Sequence, residues 1–488
     1  MPIRPSDLVF ASAEETARAI RTGKVSSLEL TKHILERIDR YNPALNAVIT
    51  ILKDEALVRA RAADEALSKG QLWGPLHGVP CTVKDTFEMA GVRTTAGSPA
   101  LTDHIPKEDA VVVARLRAAG AVIIGHTNVP LMAGDVQTFN EVFGTTNNPW
   151  DLTRTPGGST GGGAAALAAG LSFISIGSDI GGSIRTPAHF CGVYGHKPSL
   201  GVIPTRGHIP PPPGVPFPPS ELNVAGPLAR SAADLKLLLE VLGGPDPEDA
   251  IAYSWSLPPA RGTRLTDYRL GYVVDDPLCP VSSEVKDVIL KAVNALHESG
   301  VSLDEGWPTH VDPAEQYDTY RYLLYSATRA YRLRDEQFED LRKQAAKKDR
   351  SYETIMSSAM TSPHKHYQAA SIGRMAARAA WQEFFRTHDA FLSPTAFVPA
   401  FPHDQRQPTK IRRLFTPEGS RFYWDITFWI TFATLSGLPA TTAPIGLTSD
   451  GLPVGLQIMG PYLEDATTID IAGRLAEVVG GFIQPQGY

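Results

Sequence analysis

The chain has 488 residues, 43% of them hydrophobic and 20% charged, and its formal net charge is -6. These values are ordinary for a globular protein, and the slightly acidic balance argues against bulk binding to nucleic acid or to a membrane surface. The length fits two or three domains or one large α/β unit. The three cysteines form no CxxC pair, which favours a reducing compartment. The N-terminal MPIRPSDLVF lacks the apolar core of a signal peptide, so we expect a cytoplasmic protein.

Helix and strand signals alternate along the first part of the chain. Residues 1–70 have the pattern of helices, among them SSLELTKHILERIDRYN, which begins at a serine cap and repeats apolar residues every three or four positions. HGVPCTVKDTF predicts a short buried strand. EDAVVVARLRAAGAVIIGHTN and GGGAAALAAGLSFISIGSD each predict a helix, a glycine stop and a strand. The alternation predicts an α/β sheet with helices on its faces.

The second part begins with a proline-rich segment, IPPPPGVPFPPS, at residues 209–220. Proline lacks the N–H donor and fixes φ, so this segment is a loop, either a solvent-exposed connector or a stiff lip over a pocket. From about 312 to 390 the chain is mostly helical and is able to cover the sheet. AFLSPTAF and ATTAPIGL predict strands, and EDATTIDIAGRLAEVV predicts a closing helix.

Several kinds of site are not favoured by the residues. No Walker-type loop exists, and no GxGxxG follows a strand, which argues against a nucleotide site. His364 and His366 are the closest histidine pair, but they lack the further ligands of a metal site. GGSTG at 157–161 matches the GxSxG of α/β hydrolases only formally, because the residues before it form a turn-like stretch and not a strand.

Lys84 is the strongest anomaly, because its neighbours in VPCTVKDTF are apolar or small. Buried lysine is rare unless it is paired, and an ion pair with Asp85 is one interpretation. The other is a desolvated lysine with a lowered pKa that serves as a base. Ser159 and Ser183 both lie in glycine-dense segments, where a Gly-Gly-Ser turn can direct backbone N–H groups into one concavity. The residues alone therefore indicate a hydroxyl nucleophile with donors at hand and an undetermined base.

Three motifs resemble those of the amidase signature family: GVPCTVKD (78–85), TPGGSTGGGAAALAAG (155–170) and GSDIGGSIRTPAHFCGVYGHKPS (177–199). Further matches, in the family's order, are GHTNVP, FGTTNNPWD, AGPLARS, SGLPATTAPIG and GLPVGLQIMGP. Together they cover nearly the whole chain. The family resemblance implies an α/β fold with one large, twisted, mixed sheet flanked by helices on both faces. It also implies a single domain over 1–488, with N-terminal helices to about 70, the signature core at about 78–245, and a region at about 306–420 that covers the substrate pocket.

The same resemblance implies a catalytic triad. Ser183 would be the nucleophile, Ser159 the bridging serine on a cis Gly158–Ser159 peptide, and Lys84 the base, neutral at rest. The backbone N–H groups of Ile180, Gly181, Gly182 and Ser183 would form the oxyanion hole. The residues that would hold the turn are Thr160, Asp179 and Arg185. Neither a metal nor an organic cofactor is needed.

The resemblance leaves the substrate open. We expect an amidase acting on small or aryl amides, with carbamates (urethanes) and esters as further candidates, as in aryl acylamidases, urethanases and fatty acid amide hydrolase. Ala133 and Gly134, both small, are expected to line a roomy pocket. The alternative is the glutamine-hydrolysing component of a tRNA-dependent amidotransferase, although ELNVAGP here replaces the SLDQIGP of that component. A catalytically silent scaffold is disfavoured because all three triad residues are present. The partners expected are a small-molecule substrate, no nucleic acid and no membrane, with the chain as a monomer or homodimer; the unexplained residue is His196.

Overall fold

The structure is a computed structural model, which describes residues 3–215, 220–330, 333–347 and 349–488. Local sequence signals set the helix starts: Ser12 and Ser26 each cap a helix and form a capping box with Glu15 and Glu29, respectively. The α-helices are α1 (Pro5–Leu8), α2 (Ala13–Arg21), α3 (Ser27–Leu45), α4 (Lys53–Ser68), α5 (Val111–Ala118), α6 (Gly161–Ala168), α7 (Arg185–Cys191), α8 (Ala232–Leu242), α9 (Ser283–Glu298), α10 (Pro313–Arg329), α11 (Asp335–Ala345), α12 (Tyr352–Thr361), α13 (His364–Phe384), α14 (Thr431–Ser436) and α15 (Asp465–Val479).

Most of the strands join one sheet. The strands are β1 (Val48–Ile51), β2 (Pro80–Lys84), β3 (Val122–Thr127), β4 (Phe139–Asn140), β5 (Gly144–Thr145), β6 (Ile174–Asp179), β7 (Tyr194–Lys197), β8 (Val224–Ala229), β9 (Arg269–Tyr272), β10 (Ser302–Glu305), β11 (Ala390–Pro394), β12 (Arg413–Thr416), β13 (Gly419–Phe422), β14 (Ala440–Leu447) and β15 (Pro453–Met459). The 11-stranded sheet has the order β1-β3-β2-β6-β8-β7-β14-β15-β11-β9-β10. It is mixed: β2 is parallel to β3 and β6, whereas β8 is antiparallel to β6 and β7. Helices flank it, so the predicted α/β fold with a large mixed sheet is confirmed.

The parallel centre of the sheet determines where the site lies. Strands β2, β3 and β6 are buried at every position, as their continuous apolar or small residues require of strands covered on both faces. Val83 pairs with Ile176, and Lys84 pairs with Thr127, so the three strands end at the same edge of the sheet. Lys84 therefore lies beside the turn that follows β6.

Two other predictions are confirmed by the positions of the elements. The region from about 312 to 390 is mostly helical, as α10 to α13. Of the proline-rich segment 209–220, the described residues 209–215 and 220 form neither helix nor strand, and residues 216–219 lie outside the described residues. The division of the chain into one domain with the three regions given above stays a prediction.

His196 has a structural explanation. Its side chain is buried on β7, with Nδ1 2.9 Å from the Thr441 Oγ1 and Nε2 3.1 Å from the Asp465 Oδ1. Asp465 begins α15, and its carboxylate also accepts from the backbone N–H of Ser199 at 2.7 Å. The histidine therefore connects the sheet to the closing helix.

Candidate active site

Lys84, the last residue of β2, is completely buried and contacts two serines. Its Nζ lies 2.7 Å from the Ser159 Oγ and 3.0 Å from the Ser178 Oγ. The expected alternative, an ion pair with Asp85, is wrong: the Asp85 carboxylate is turned to His126 at 3.3 Å and accepts from the Thr95 backbone N–H at 3.1 Å. Burial lowers the pKa of Lys84 from 10.5 to about 7, against the opposing effect of the nearby Asp179 carboxylate. At neutral pH a substantial fraction of this amine is therefore uncharged.

Ser159 and Ser183 lie on two turns that contact each other. The Gly158–Ser159 peptide bond is cis, as the family resemblance implies. The N–H of Thr160 donates to the Ser183 carbonyl oxygen at 3.1 Å, which joins the two turns. Both serine side chains line one large cavity, and Ser183 is 6% exposed. A substrate in that cavity therefore has access to the Ser183 hydroxyl, behind which Ser159 leads to the lysine.

Asp179 organises the turn that carries Ser183. Its carboxylate accepts from the N–H groups of Gly182 at 3.0 Å and Ile184 at 3.1 Å, and forms a two-pronged ion pair with Arg185 at 2.9 and 3.0 Å. Burial alone would raise the pKa of Asp179, but the Arg185 guanidinium and these hydrogen bonds hold it at about 2. Arg185 also donates to Gln457 at 2.7 Å. The turn is thereby tied to β15 by a buried charge network in which both partners are satisfied.

One of the expected oxyanion donors is already in use. The Gly182 N–H donates to Asp179, so it is removed from the expected set for a steric and electrostatic reason: the carboxylate occupies its donor direction. Within the described ranges, the backbone N–H groups of Ile180, Gly181 and Ser183 donate to no other group. These three remain available at the cavity.

Three residues that sequence reasoning missed contact this site. Ser178 accepts from Lys84, and His208 places its Nε2 2.9 Å from the Ser178 Oγ. Tyr320, on α10, donates its hydroxyl to the Ile180 carbonyl oxygen at 2.9 Å. Ser178 adjoins the GSDIGGS motif and could have been suspected from it, whereas no spacing rule connects His208 or Tyr320 with the serines.

The cavity has a volume of about 2200 Å³ and is lined mainly by apolar and small residues. Ala133 and Gly134 line it together with Ser159 and Ser183, on a turn where Met132 and Ala133 have φ of 50° and 55°. Residues 209–215 of the proline-rich segment also line it. This wall position matches the expected lip over a pocket better than a free connector.

Metal ligands and membrane spans were also sought. In the part of the chain that the structure describes, no group of three His, Cys, Asp or Glu side chains is arranged to hold a metal ion. Among the same residues, every helix is too short or too polar to cross a bilayer.

The sequence model of the Amidase family matches residues 29–469 of this chain. The chain belongs to the Amidase family. It is therefore an amidase signature enzyme that acts on C–N bonds, and the resemblance stated from its motifs is confirmed.

Curated and structural relatives within this family carry different names. The GatA-type component of the glutamyl-tRNA(Gln) amidotransferase of Carboxydothermus hydrogenoformans is 32% identical over 491 residues, covering 96% of this amidase and 96% of that protein. A bacterial aryl acylamidase of the amidase signature family superimposes with a TM-score of 0.80 at 25% identity, over 96% of both chains. The corresponding component of the glutamyl-tRNA(Gln) amidotransferase of Thermotoga maritima gives a TM-score of 0.76 at 26% identity, over 98% of both chains.

These relatives overturn the prediction about partners. The net charge of -6 led to an expectation of no nucleic-acid partner and of a monomer or homodimer. That expectation is wrong, because proteins similar to this amidase over 96% of their length are named as components of an amidotransferase for glutamyl-tRNA(Gln). Net charge is a sum over the whole surface, and a contact with RNA or a second protein needs only a local patch of suitable charge.

Proposed function

We propose that this amidase hydrolyses the C–N bond of a carboxamide through an acyl-enzyme on Ser183. One observation carries the proposal: the buried Lys84 Nζ lies 2.7 Å from the Ser159 Oγ, at the end of a cavity that the Ser183 side chain also lines. A serine hydroxyl is a poor nucleophile until an adjacent base removes its proton. The lowered pKa of Lys84, about 7, suits that base at neutral pH.

The proposed reaction moves one proton along the two serines. Neutral Lys84 accepts the Ser159 proton while Ser159 accepts that of Ser183, and the Ser183 oxygen forms a bond to the amide carbon. When the tetrahedral intermediate collapses, Ser159 returns the proton to the leaving nitrogen and Lys84 returns its proton to Ser159. Protonation is required because an amide nitrogen leaves poorly as an anion. Water then attacks the ester by the same route in reverse and releases the acid.

The N–H groups of Ile180, Gly181 and Ser183 are proposed to hold the oxyanion. Each such donor typically contributes about 3 kcal/mol to the stabilisation of the transition state. Because Asp179 and Arg185 fix the turn before substrate arrives, little reorganisation is needed when the charge develops.

Glutamine is the first proposed substrate class, with the released ammonia passed to a partner. The names of the relatives, components of a glutamyl-tRNA(Gln) amidotransferase, support it. The cavity wall also carries an ion pair suited to a free amino acid, in which Arg374 lies 3.8 Å from Glu221. The Arg374 side chain is 13% exposed, and its Nε makes no hydrogen bond to any residue of the described ranges. Such a guanidinium can take up the α-carboxylate, and Glu221 the α-ammonium group.

Aryl or small aliphatic amides, with carbamates, are the second proposed class. The likeness to an aryl acylamidase supports it, as does a mainly apolar cavity of about 2200 Å³, which is larger than glutamine requires. The replacement of SLDQIGP by ELNVAGP is a further difference from the amidotransferase pattern. In this class the chain would act alone, with no partner protein, and would hydrolyse linear amides.

A substrate panel tests both classes. The purified chain is assayed with glutamine, p-nitroacetanilide, an aliphatic amide and an aryl carbamate, and the Ser183→Ala variant is the control. We expect hydrolysis of at least one substrate and a loss of about 10⁴-fold in the variant. If Ser183→Ala retains more than about one per cent of the wild-type kcat, the nucleophile assignment is wrong.

Arg374→Met separates the two classes. If glutamine is the substrate, the variant should lose about tenfold or more in kcat/KM for glutamine while anilide hydrolysis changes little, because only glutamine has a carboxylate to bind. Equal effects on both substrates would count against an amino-acid site at Arg374.

A further inference from the structure

His208 lies outside every motif that carried the family resemblance, yet it contacts the surroundings of the proposed base. Its side chain is buried, with Nε2 2.9 Å from the Ser178 Oγ and Nδ1 2.9 Å from the carbonyl oxygen of Pro210. Its ring lies edge-on to Phe87, with 4.9 Å between the centroids. Since the Ser178 Oγ is 3.0 Å from the Lys84 Nζ, a single hydroxyl joins the histidine to the lysine.

The Pro210 carbonyl determines the direction of this chain of hydrogen bonds. A carbonyl oxygen can only accept, so the proton of a neutral His208 lies on Nδ1, and Nε2 is left as an acceptor. The Ser178 hydroxyl then donates to Nε2 and offers its oxygen to an N–H of Lys84. A neutral amine has one lone pair, and with one N–H directed to Ser178 that lone pair is free to face Ser159.

We infer that His208 is a positioning residue which, through Ser178, fixes the hydrogen bonds around Lys84 so that the lone pair of the amine faces Ser159. The inference rests on the proposed function, because it matters only if Lys84 acts as the base. It assigns a catalytic consequence to the start of the proline-rich segment, which supplies both the histidine and the carbonyl that orients it.

The electrostatic surroundings support a neutral His208. Burial, together with the charge of Lys84, lowers the pKa of His208 to about 3, although the Pro210 carbonyl acts in the opposite direction. The other charged or titratable groups packed around these two side chains are Asp179, Arg185, Asp85 and His126. Asp179 is paired with Arg185, and Asp85 faces His126, so neither carboxylate is directed at the imidazole. His208 therefore remains an acceptor over the range in which Lys84 titrates.

Two substitutions of similar size isolate the acceptor. His208→Gln keeps an acceptor oxygen at about the reach of Nε2, whereas His208→Leu fills the space without one. In His208→Leu the Ser178 hydroxyl loses its acceptor and turns to the lone pair of neutral Lys84, in competition with Ser159. We expect kcat to fall about ten- to hundredfold with KM within about twofold, because the base is misdirected and substrate contacts are kept. His208→Gln should retain most of the wild-type kcat.

The pH profile distinguishes this role from a merely structural one. When Ser178 donates to the amine it stabilises the neutral form, so His208→Leu should shift the acid limb of kcat to lower pH. If the substitution only loosened the proline-rich segment, water would reach Lys84, its pKa would rise, the limb would shift to higher pH and KM would increase. A second check is Ser178→Ala, in which His208→Leu should cause no further loss beyond about twofold, because the link is already cut.

Each outcome has one meaning, and Ser183→Ala is assayed alongside. Lower kcat in His208→Leu, rescue by His208→Gln and a limb at lower pH support the inference. Equal kcat and equal profiles for the two variants, or a limb at higher pH, overturn it while an inactive Ser183→Ala variant leaves the proposed function standing. An active Ser183→Ala variant overturns the proposed function itself.

Discussion

Replacing the buried lysine should abolish turnover without destabilising the protein. In Lys84→Met the side chain has a similar length but no base, so we expect kcat to fall about 10³- to 10⁴-fold or more. The structure also predicts the sign of the effect on stability. Burial lowers the pKa of Lys84 from 10.5 to about 7, which corresponds to about 5 kcal/mol at the 1.36 kcal/mol of each pKa unit.

That free energy appears as a pH dependence. Between the two pKa values the unfolded chain holds the lysine proton and the folded chain does not, so the unfolding free energy of the wild type rises with pH. Relative to Lys84→Met, the rise should be about 1.4 kcal/mol per pH unit from about pH 7 upward and should level off below about pH 7, where both states are protonated. At pH 7 and below the wild type carries the full cost of burying the charge, and the variant should be at least as stable.

Urea unfolding followed by tryptophan fluorescence measures the difference. The wild type and Lys84→Met are compared at pH values of about 7, 8 and 9, with Lys365→Met, at an exposed lysine of α13, as the control for losing a lysine. A wild-type advantage that grows with pH supports a neutral lysine in the folded protein. A difference that is the same at all three pH values, or that shrinks as pH rises, would refute the reasoning.

Three further predictions test other parts of the site. Asp179→Asn leaves Arg185 buried without its carboxylate and should lower the unfolding free energy by about 3–5 kcal/mol; an unchanged Tm in calorimetry would contradict the proposed role of the pair. Tyr320→Phe removes the hydrogen bond to the Ile180 carbonyl and should lower kcat about three- to tenfold without changing KM, and a kcat equal to that of the wild type would speak against it. The wild-type kcat/KM should fall as pH drops below about 7, because Lys84 must be neutral to act; a flat profile from about pH 5 to about pH 9 would show that some other group is the base.

The sequence predicts the elements whose local pattern and tertiary surroundings agree. Helix α3 has a serine cap, a capping-box glutamate and apolar residues on one face, and it forms as expected. Strand β2 is apolar except for Lys84, which is what a strand buried on both faces requires. The edge strands β1 and β10, four residues each, were not predicted, because short and partly exposed strands carry little pattern and depend on the neighbours they pair with.

The candidate site could be predicted only in part, for a similar reason. Lys84 stands out in the sequence because a charge in an apolar strand needs an explanation, and the glycine-rich turns indicate where hydroxyls and donors collect. The use of the Gly182 N–H by Asp179 depends on the turn geometry, which composition does not determine. The contact of His208 with Ser178 joins residues 30 positions apart, and no periodicity encodes it. Net charge, summed over the chain, could not predict partners that bind through one patch.

Covalent labelling is the most direct test of the central claim, that Ser183 is the nucleophile. The wild-type protein is treated with a fluorophosphonate, digested and mapped by mass spectrometry, with Lys84→Met treated in parallel. We predict a phosphonylated Ser183 in the wild type and labelling at least about a hundredfold slower in the lysine variant, because the hydroxyl then lacks its base. A label on Ser159 instead of Ser183, or equal rates of labelling in the two proteins, would contradict the account.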